Sequence, residues 1–150
     1  MLRRYITGPL GIEHYYCNLD PVGHGYYGGG IRMRPRDQLK LGQVMLAGGL
    51  WNGKRVLSES WVKLSTSPTG RIYKPNDYCM GWWRKLLPFR ERKVELLYAS
   101  GNGGQFIVWA PELDVVVQIS GGNYRNFPAW GKHLTEMIPR FVFGAIEEGN

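Results

Sequence analysis

Between Leu96 and Tyr124 the chain reads LLYASGNGGQFIVWAPELDVVVQISGGNY, and no other stretch limits the possible folds as strongly. Two apolar runs, Gln105 to Ala110 and Val115 to Ser120, are each about a strand long and rich in β-branched and aromatic residues. Pro111-Glu112-Leu113-Asp114 joins them. Its proline suits the first central position of a tight turn and its aspartate can bond its own backbone, so the pair predicts a hairpin. A third run, Val94 to Ala99, arrives from the other side and is broken by Ser100-Gly101-Asn102-Gly103-Gly104. Neither Phe106 to Trp109 nor Val115 to Ile119 alternates between apolar and polar residues. Both faces of this sheet are therefore expected to be covered, most simply by helices.

The flanking segments read as that cover. Arg36 to Ala47 places Leu39, Leu41, Val44, Met45 and Leu46 at helical spacing, with Pro35 near the first turn and Gly48-Gly49 past the end. Asn52-Gly53 marks a tight hairpin. Ser58 is a candidate N-cap for a short helix over Glu59 to Ser65, with Leu57 placed to staple against Val62. Tyr78 to Leu86 predicts a further strand, and Pro88 to Arg92 a charged connection to the strand at Val94. Trp130, Leu134, Met137, Ile138 and Phe141 form an apolar stripe on a final helix from Pro128 to Phe143, in which Pro139 predicts a kink or a stop near Glu136. Met1 to Gly30 and Pro68 to Pro75 read as loops and turns, Ile31 to Met33 as a short strand, and Glu147 to Asn150 as a frayed tail.

The length of 150 residues is that of one domain, and 43% hydrophobic content supports a core. No apolar run approaches the roughly 20 residues that span a bilayer, and Met1-Leu2-Arg3-Arg4 is not followed by the apolar block of a signal peptide. The net charge of +7 is spread over Arg3-Arg4, Arg32, Arg34, Arg36, Arg71, Lys74 and the Arg84 to Lys93 region. With no nucleic-acid-binding motif beside them, these residues read as solvated basic loops. Cys17 and Cys79 form no C-x-x-C pair and are expected to be free thiols.

Several strings match catalytic or cofactor motifs literally. Gly23-His24-Gly25-Tyr26-Tyr27-Gly28 is a G-x-G-x-x-G, but no strand precedes it and glycines follow where a phosphate-binding helix would begin, so it reads as turn chemistry. His14, Cys17 and His24 fit no zinc spacing. Glu112 and Asp114 flank a turn and read as solvated acids rather than a glycosidase pair. Ser60-Trp61-Val62-Lys63 is an S-x-x-K, and Tyr16-Cys17-Asn18 a Y-x-N.

Taken in order, Pro9-Leu10-Gly11-Ile12, Gly28-Gly29-Gly30-Ile31, Pro35-Arg36-Asp37, Leu41-Gly42-Gln43, the run from Gly48 to Leu57, Trp61-Val62, Gly81-Trp82-Trp83, Ala99 to Gln105, Pro111 to Asp114 and Gly122-Asn123-Tyr124 resemble the carboxy-terminal half of class C β-lactamase-like serine hydrolases. That family includes penicillin-binding D-alanyl-D-alanine peptidases, β-lactamases, esterases and amide hydrolases. The resemblance implies an α+β fold, an antiparallel β-sheet packed with helices, forming the C-terminal portion of a β-lactamase/transpeptidase-like domain. Residues 1–150 would then be a single partial domain, with the S-x-x-K nucleophile and Y-x-N relay upstream of it. The literal matches here run in the reverse order, Tyr16 before Ser60, and read as coincidence.

The third family motif, a Lys-Thr-Gly-like triplet on a strand, corresponds to Ala99-Ser100-Gly101. Ser100 keeps a hydroxyl and Gly101 a bare wall, whereas Ala99 cannot attract a substrate carboxylate, which favours an esterase or amidase over a β-lactamase or peptidase. The resemblance implies catalytic roles for Ser100 and for the backbone N–H of Asn102 as oxyanion donor, and substrate contact at Gly101, Gly103, Gly104 and Tyr124. It calls for no metal and no cofactor. The partners it implies are a small-molecule ester or amide and the nucleophile-bearing half, with neither nucleic acid nor a membrane span. A binding module that keeps the sheet without the chemistry is the alternative reading.

Overall fold

A computed structural model of the chain describes residues 1–68, 72–73 and 76–148. Among these residues the first strands, β1 (Tyr15–Cys17) and β2 (Ile31–Met33), pair with each other, and helix α1 (Pro35–Leu46) follows. A two-stranded hairpin, β3 (Leu50–Trp51) and β4 (Lys54–Arg55), leads to helix α2 (Glu59–Thr66). Next come β5 (Ile72–Tyr73), β6 (Asn76–Tyr78), β7 (Trp83–Phe89), β8 (Arg92–Gly101), β9 (Gln105–Ala110) and β10 (Val115–Ile119). They form one antiparallel sheet in the order β10-β9-β8-β7-β6-β5. The chain ends in α3 (Phe127–Lys132), a π-helical stretch over His133–Phe143, and α4 (Gly144–Glu148).

The expected two-sided burial is present. Val94, Leu96, Tyr98, Phe106 and Val108 share one core cluster with Leu134, Ile138 and Phe143 of the C-terminal helix. Leu97 and Trp109 share a second with Met45 of α1 and Val62 of α2. Burying an apolar side chain of this size stabilises by about 1.5 to 3 kcal/mol. Gly42 lets α1 approach the sheet closely, since a Cβ there would lie 2.5 Å from Val116 Cγ1 and 3.0 Å from Ile107 Cγ2.

Local signals explain the ends of these elements. The Ser58 side chain accepts a hydrogen bond from the Trp61 N–H, capping α2, and Leu57 packs in the same cluster as Val62. Beyond α1, Gly49 donates its N–H to the Val44 carbonyl at 2.7 Å with both Gly48 and Gly49 at positive φ. Asn52 and Gly53, at φ 48° and 76°, make the turn of the β3–β4 hairpin.

Five expectations need correction. The strand predicted over Tyr78 to Leu86 is two strands, because Gly81 at φ 89° and a 2.7 Å bond from the Cys79 N–H to the Trp82 carbonyl make a tight turn between them. Pro88 and Phe89 extend β7 rather than joining a loop, since Phe89 is buried against Phe143 with ring centroids 5.1 Å apart. Met1 to Gly30 is not all loop: Arg3–Thr7 forms a π-helical turn, and β1 gains its partner from β2, a pairing that no local periodicity announces. Of the kink or stop expected near Glu136 in the final helix, the stop does not occur, for helical winding continues through Phe143 and into α4. Its π winding sends N–H groups five residues back, as from Gly144 to the Pro139 carbonyl, and takes Pro139 out of register with the Thr135 carbonyl. The loop expected over Pro68 to Pro75 contains β5, while residues 69–71 and 74–75 lie outside the described residues, as do 149–150 of the expected frayed tail.

Both cysteines are free. Cys79 is fully buried, its Sγ donates to the Thr66 carbonyl, and burial pushes its thiol pKa up. No helix among the described residues is long and apolar enough to cross a membrane.

Candidate active site

β8 outlasts one of its neighbours. Arg92 to Tyr98 pairs with β7, but Ala99, Ser100 and Gly101 pair only with Ile107, Phe106 and Gln105 of β9. On the β7 side these three residues present an open strand edge, with backbone groups free for another partner. Asn102, the first residue past the strand, is exposed, and no described residue accepts its N–H.

The turn after this edge is held from behind. Gly104 donates its N–H to the Gly101 carbonyl at 3.2 Å, with Gly103 and Gly104 at φ 96° and 82°, a conformation that suits glycine. Asn123 donates its N–H to the Gly103 carbonyl at 3.0 Å, and His133 Nδ1 donates to the Gly104 carbonyl at 3.1 Å. Trp130 Nε1 fixes the Asn123 carbonyl at 2.7 Å, and Gln105 Nε2 reaches the Asn102 and Gly121 carbonyls. A Cβ on Gly121 would lie 2.3 Å from the Gly103 carbonyl oxygen, so the segment after β10 presses directly on the turn.

In front of the edge lies a groove of about 260 Å³. Ala99, Ser100 and Gly101 line it on one side; Ile31 and Met33 of β2 and Gln38 and Leu41 of α1 line the other. None of its lining side chains carries a formal charge. A Cβ on Gly101 would make only ordinary contact, with Gln105 Cβ at 3.6 Å and its carbonyl at 4.0 Å.

The six residues singled out for function thus separate into two groups. Ser100 and Gly101 line the groove, and Asn102 sits exposed at the end of the same edge. Gly103 and Gly104 are buried behind it and do not line it. Tyr124 is 63% exposed, with its ring against Gly103 rather than in the groove. Gln38 and Leu41 were legible only as helix residues and His133 only as a position on the final helix; the contacts that give them a place here cross from one element to another. Gln105, a lone amide opening an apolar strand, was the one local signal.

The other literal motifs are engaged elsewhere. Lys63 pairs with Glu59 at 2.7 Å, holding the Glu59 carboxyl below its ordinary range, while the Ser60 hydroxyl donates to Ser58 Oγ at 3.2 Å. Tyr16 lies exposed on β1. Asp20 accepts the N–H groups of Val22 and His24 within the glycine-rich turn and pairs with the His24 ring at 3.3 Å. Glu112 pairs with Arg92 at 2.7 Å. Burial pushes the Tyr98 phenol pKa up, which keeps it protonated and unsuited to act as a base. Among the described residues no base is hydrogen-bonded to Ser100.

An antiparallel sheet flanked in this way by α1 and α2 on one face and a C-terminal helix on the other is the sheet-bearing part of the β-lactamase-like fold. A Bacillus anthracis structure provisionally named a 6-aminohexanoate-dimer hydrolase superposes with a TM-score of 0.74 at 20% identity, covering 98% of this chain and 38% of that one. A Bacteroides dorei structure provisionally named a β-lactamase gives a TM-score of 0.62 at 15% identity over 88% of this chain and 49% of that one. In sequence, the 6-aminohexanoate-dimer hydrolase of Paenarthrobacter ureafaciens is 29% identical over 75 residues, 43% of this chain and 19% of the relative. No protein-family model matches. The chain therefore spans about a fifth of the curated relative and less than half of each solved structure.

Proposed function

We propose that this chain is the sheet-bearing part of a β-lactamase-like serine hydrolase and that the open edge of β8 forms one wall of its acyl-transfer cleft. The observation that carries this is the termination of β7 pairing at Tyr98, which leaves Ala99 to Gly101 facing a neutral groove with the Asn102 N–H unaccepted. In the reaction, a serine on a segment outside this chain attacks an ester or amide carbonyl. Its oxygen bonds the carbon, a neighbouring base takes its proton, and the carbonyl π electrons move to oxygen. Collapse of that oxyanion expels the alkoxide or amine, which leaves with the proton, and water then releases the acid from the acyl-serine by the same sequence.

The Asn102 N–H is suited to the oxyanion, a role in which a fixed donor contributes about 2.7 to 4 kcal/mol. Ser100 and Gly101 would contact the substrate, and Gly103, Gly104 and Tyr124 would act by shaping and backing the turn. The neutral groove, with Ala99 in place of a cationic residue, fits an esterase or amidase better than an enzyme that must hold a carboxylate there. The second reading, a binding module without chemistry, draws on the pairing of Lys63 with Glu59 and on Ser100's having no hydrogen-bonded base among the described residues.

In a protein joining this chain to a segment bearing S-x-x-K and Y-x-N, Gly101→Val is expected to lower kcat about 100-fold while the melting temperature moves by only a few degrees. Turnover unchanged by Gly101→Val would overturn the assignment of this edge.

A further inference from the structure

Ser100 and Phe106 line a second groove, of about 270 Å³, on the other face of the sheet. Its floor follows from strand geometry: Trp83 pairs with Tyr98, Lys85 lies two residues along β7 and Ser100 two residues along β8, so all four side chains share one face. α3 supplies the far wall with Phe127 and Trp130, whose ring centroids lie 4.5 Å apart. Tyr78 packs on Trp83 at 4.6 Å. Phe127 is 66% exposed beside Trp130 at the mouth of the groove, where its ring face is available to a flat ligand. Lys85 lines the groove without an ion-pair partner among the described residues, and no carboxylate joins it there.

We infer that this groove is a subsite for an aromatic ring bearing an acidic group, with the ring among Trp83, Phe127 and Trp130 and the anion at Lys85. The inference rests on the cleft-wall reading for its place in catalysis. The two grooves meet at Ser100, so an ester or amide whose carbonyl lies at that edge sends its uncharged arm toward Met33 and Leu41 and its aryl-acid arm toward α3. The volume suits one ring rather than a peptide. Flat rings meet the aromatic walls edge to face or offset, which a saturated ring of equal size cannot do as well. Lys85 repels a cationic ring substituent and attracts an anionic one.

The test is a set of amide and indole NMR titrations of the 150-residue chain with phenylacetate, cyclohexylacetate and benzylamine. Phenylacetate is expected to shift the Trp83 and Trp130 indole resonances and the Ser100 amide, and to bind about threefold to tenfold more tightly than cyclohexylacetate. Benzylamine should be the weaker aromatic probe. Lys85→Gln should raise the phenylacetate Kd about fivefold and erase its advantage over benzylamine. Phe127→Leu, at an exposed position where the fold has little to lose, should remove the preference for the flat ring. Equal binding of phenylacetate and cyclohexylacetate, no effect of Lys85→Gln, or shifts confined to Ile31 and Leu41 would each overturn the subsite. Binding is read here without turnover, so its failure is separate from that of the cleft-wall reading, which the Gly101→Val kinetics decide.

Discussion

Two glycines three residues apart, Gly101 and Gly104, lack a side chain for different reasons. Gly101 has ordinary strand geometry and room for a Cβ in ordinary contact with Gln105, so what it withholds is bulk at the mouth of the groove. Gly104 sits at φ 82°, and a Cβ there would lie 2.9 Å from His133 Cε1 and 3.2 Å from Trp130 Cδ1. A valine at 101 therefore meets little resistance from the fold and gains in strand propensity. An alanine at 104 takes on a left-handed backbone and displaces two rings, at a cost of about 1 to 3 kcal/mol. Urea denaturation of the isolated chain should show Gly104→Ala shifted well below wild type and Gly101→Val close to it. The reverse order would mean that the turn is not packed as described, whatever its role in catalysis.

At the level of elements, α1 joins the groove to the core. Its outer residues Gln38 and Leu41 line the cleft, while Val44 and Met45 are buried, and Gly42 sets its distance from the sheet. Gly42→Ala should be destabilising even though alanine is better in a helix interior by about 1 kcal/mol, because its Cβ would overlap Val116. Val116→Ala should relieve part of that loss, so a thermal or urea double-mutant cycle is expected to give a favourable coupling between the two changes. Additive effects would show that the helix adjusts its height freely. Such close approaches lie beyond what a sequence displays. The 3.6-residue spacing of Leu41, Val44 and Met45 announced α1, and β-branched runs announced β9 and β10, because those signals are local. The turn at Gly81 was hidden within Trp82 and Trp83, whose apolar character reads as strand, and the pairing of β1 with β2 depends on residues that meet only after the chain has turned back.

For the whole molecule, the question is whether the chemistry can run on these 150 residues. The fold carries a groove and an unaccepted donor, but among the described residues the two serines that the motifs offer, Ser60 and Ser100, lack what an attacking oxygen needs. Ser60 is exposed on α2, donates to Ser58, and is separated from its would-be base because Lys63 is held by Glu59. Ser100 stands at the groove with no base bonded to it among the described residues, and burial keeps the neighbouring Tyr98 phenol protonated. An unactivated hydroxyl is a weak nucleophile at neutral pH. The purified chain treated with a fluorophosphonate should consequently show no stoichiometric adduct by intact mass, and no burst from an activated ester. An adduct mapped to Ser60 and lost in Lys63→Met would make the S-x-x-K on α2 an active centre after all. An adduct on Ser100 would point instead to a base recruited in the aromatic groove, with Lys85 the residue to replace next. No adduct at either serine is the result expected both of a cleft wall and of a module without chemistry, and Gly101→Val in the joined protein then separates the two, since only a cleft wall loses turnover.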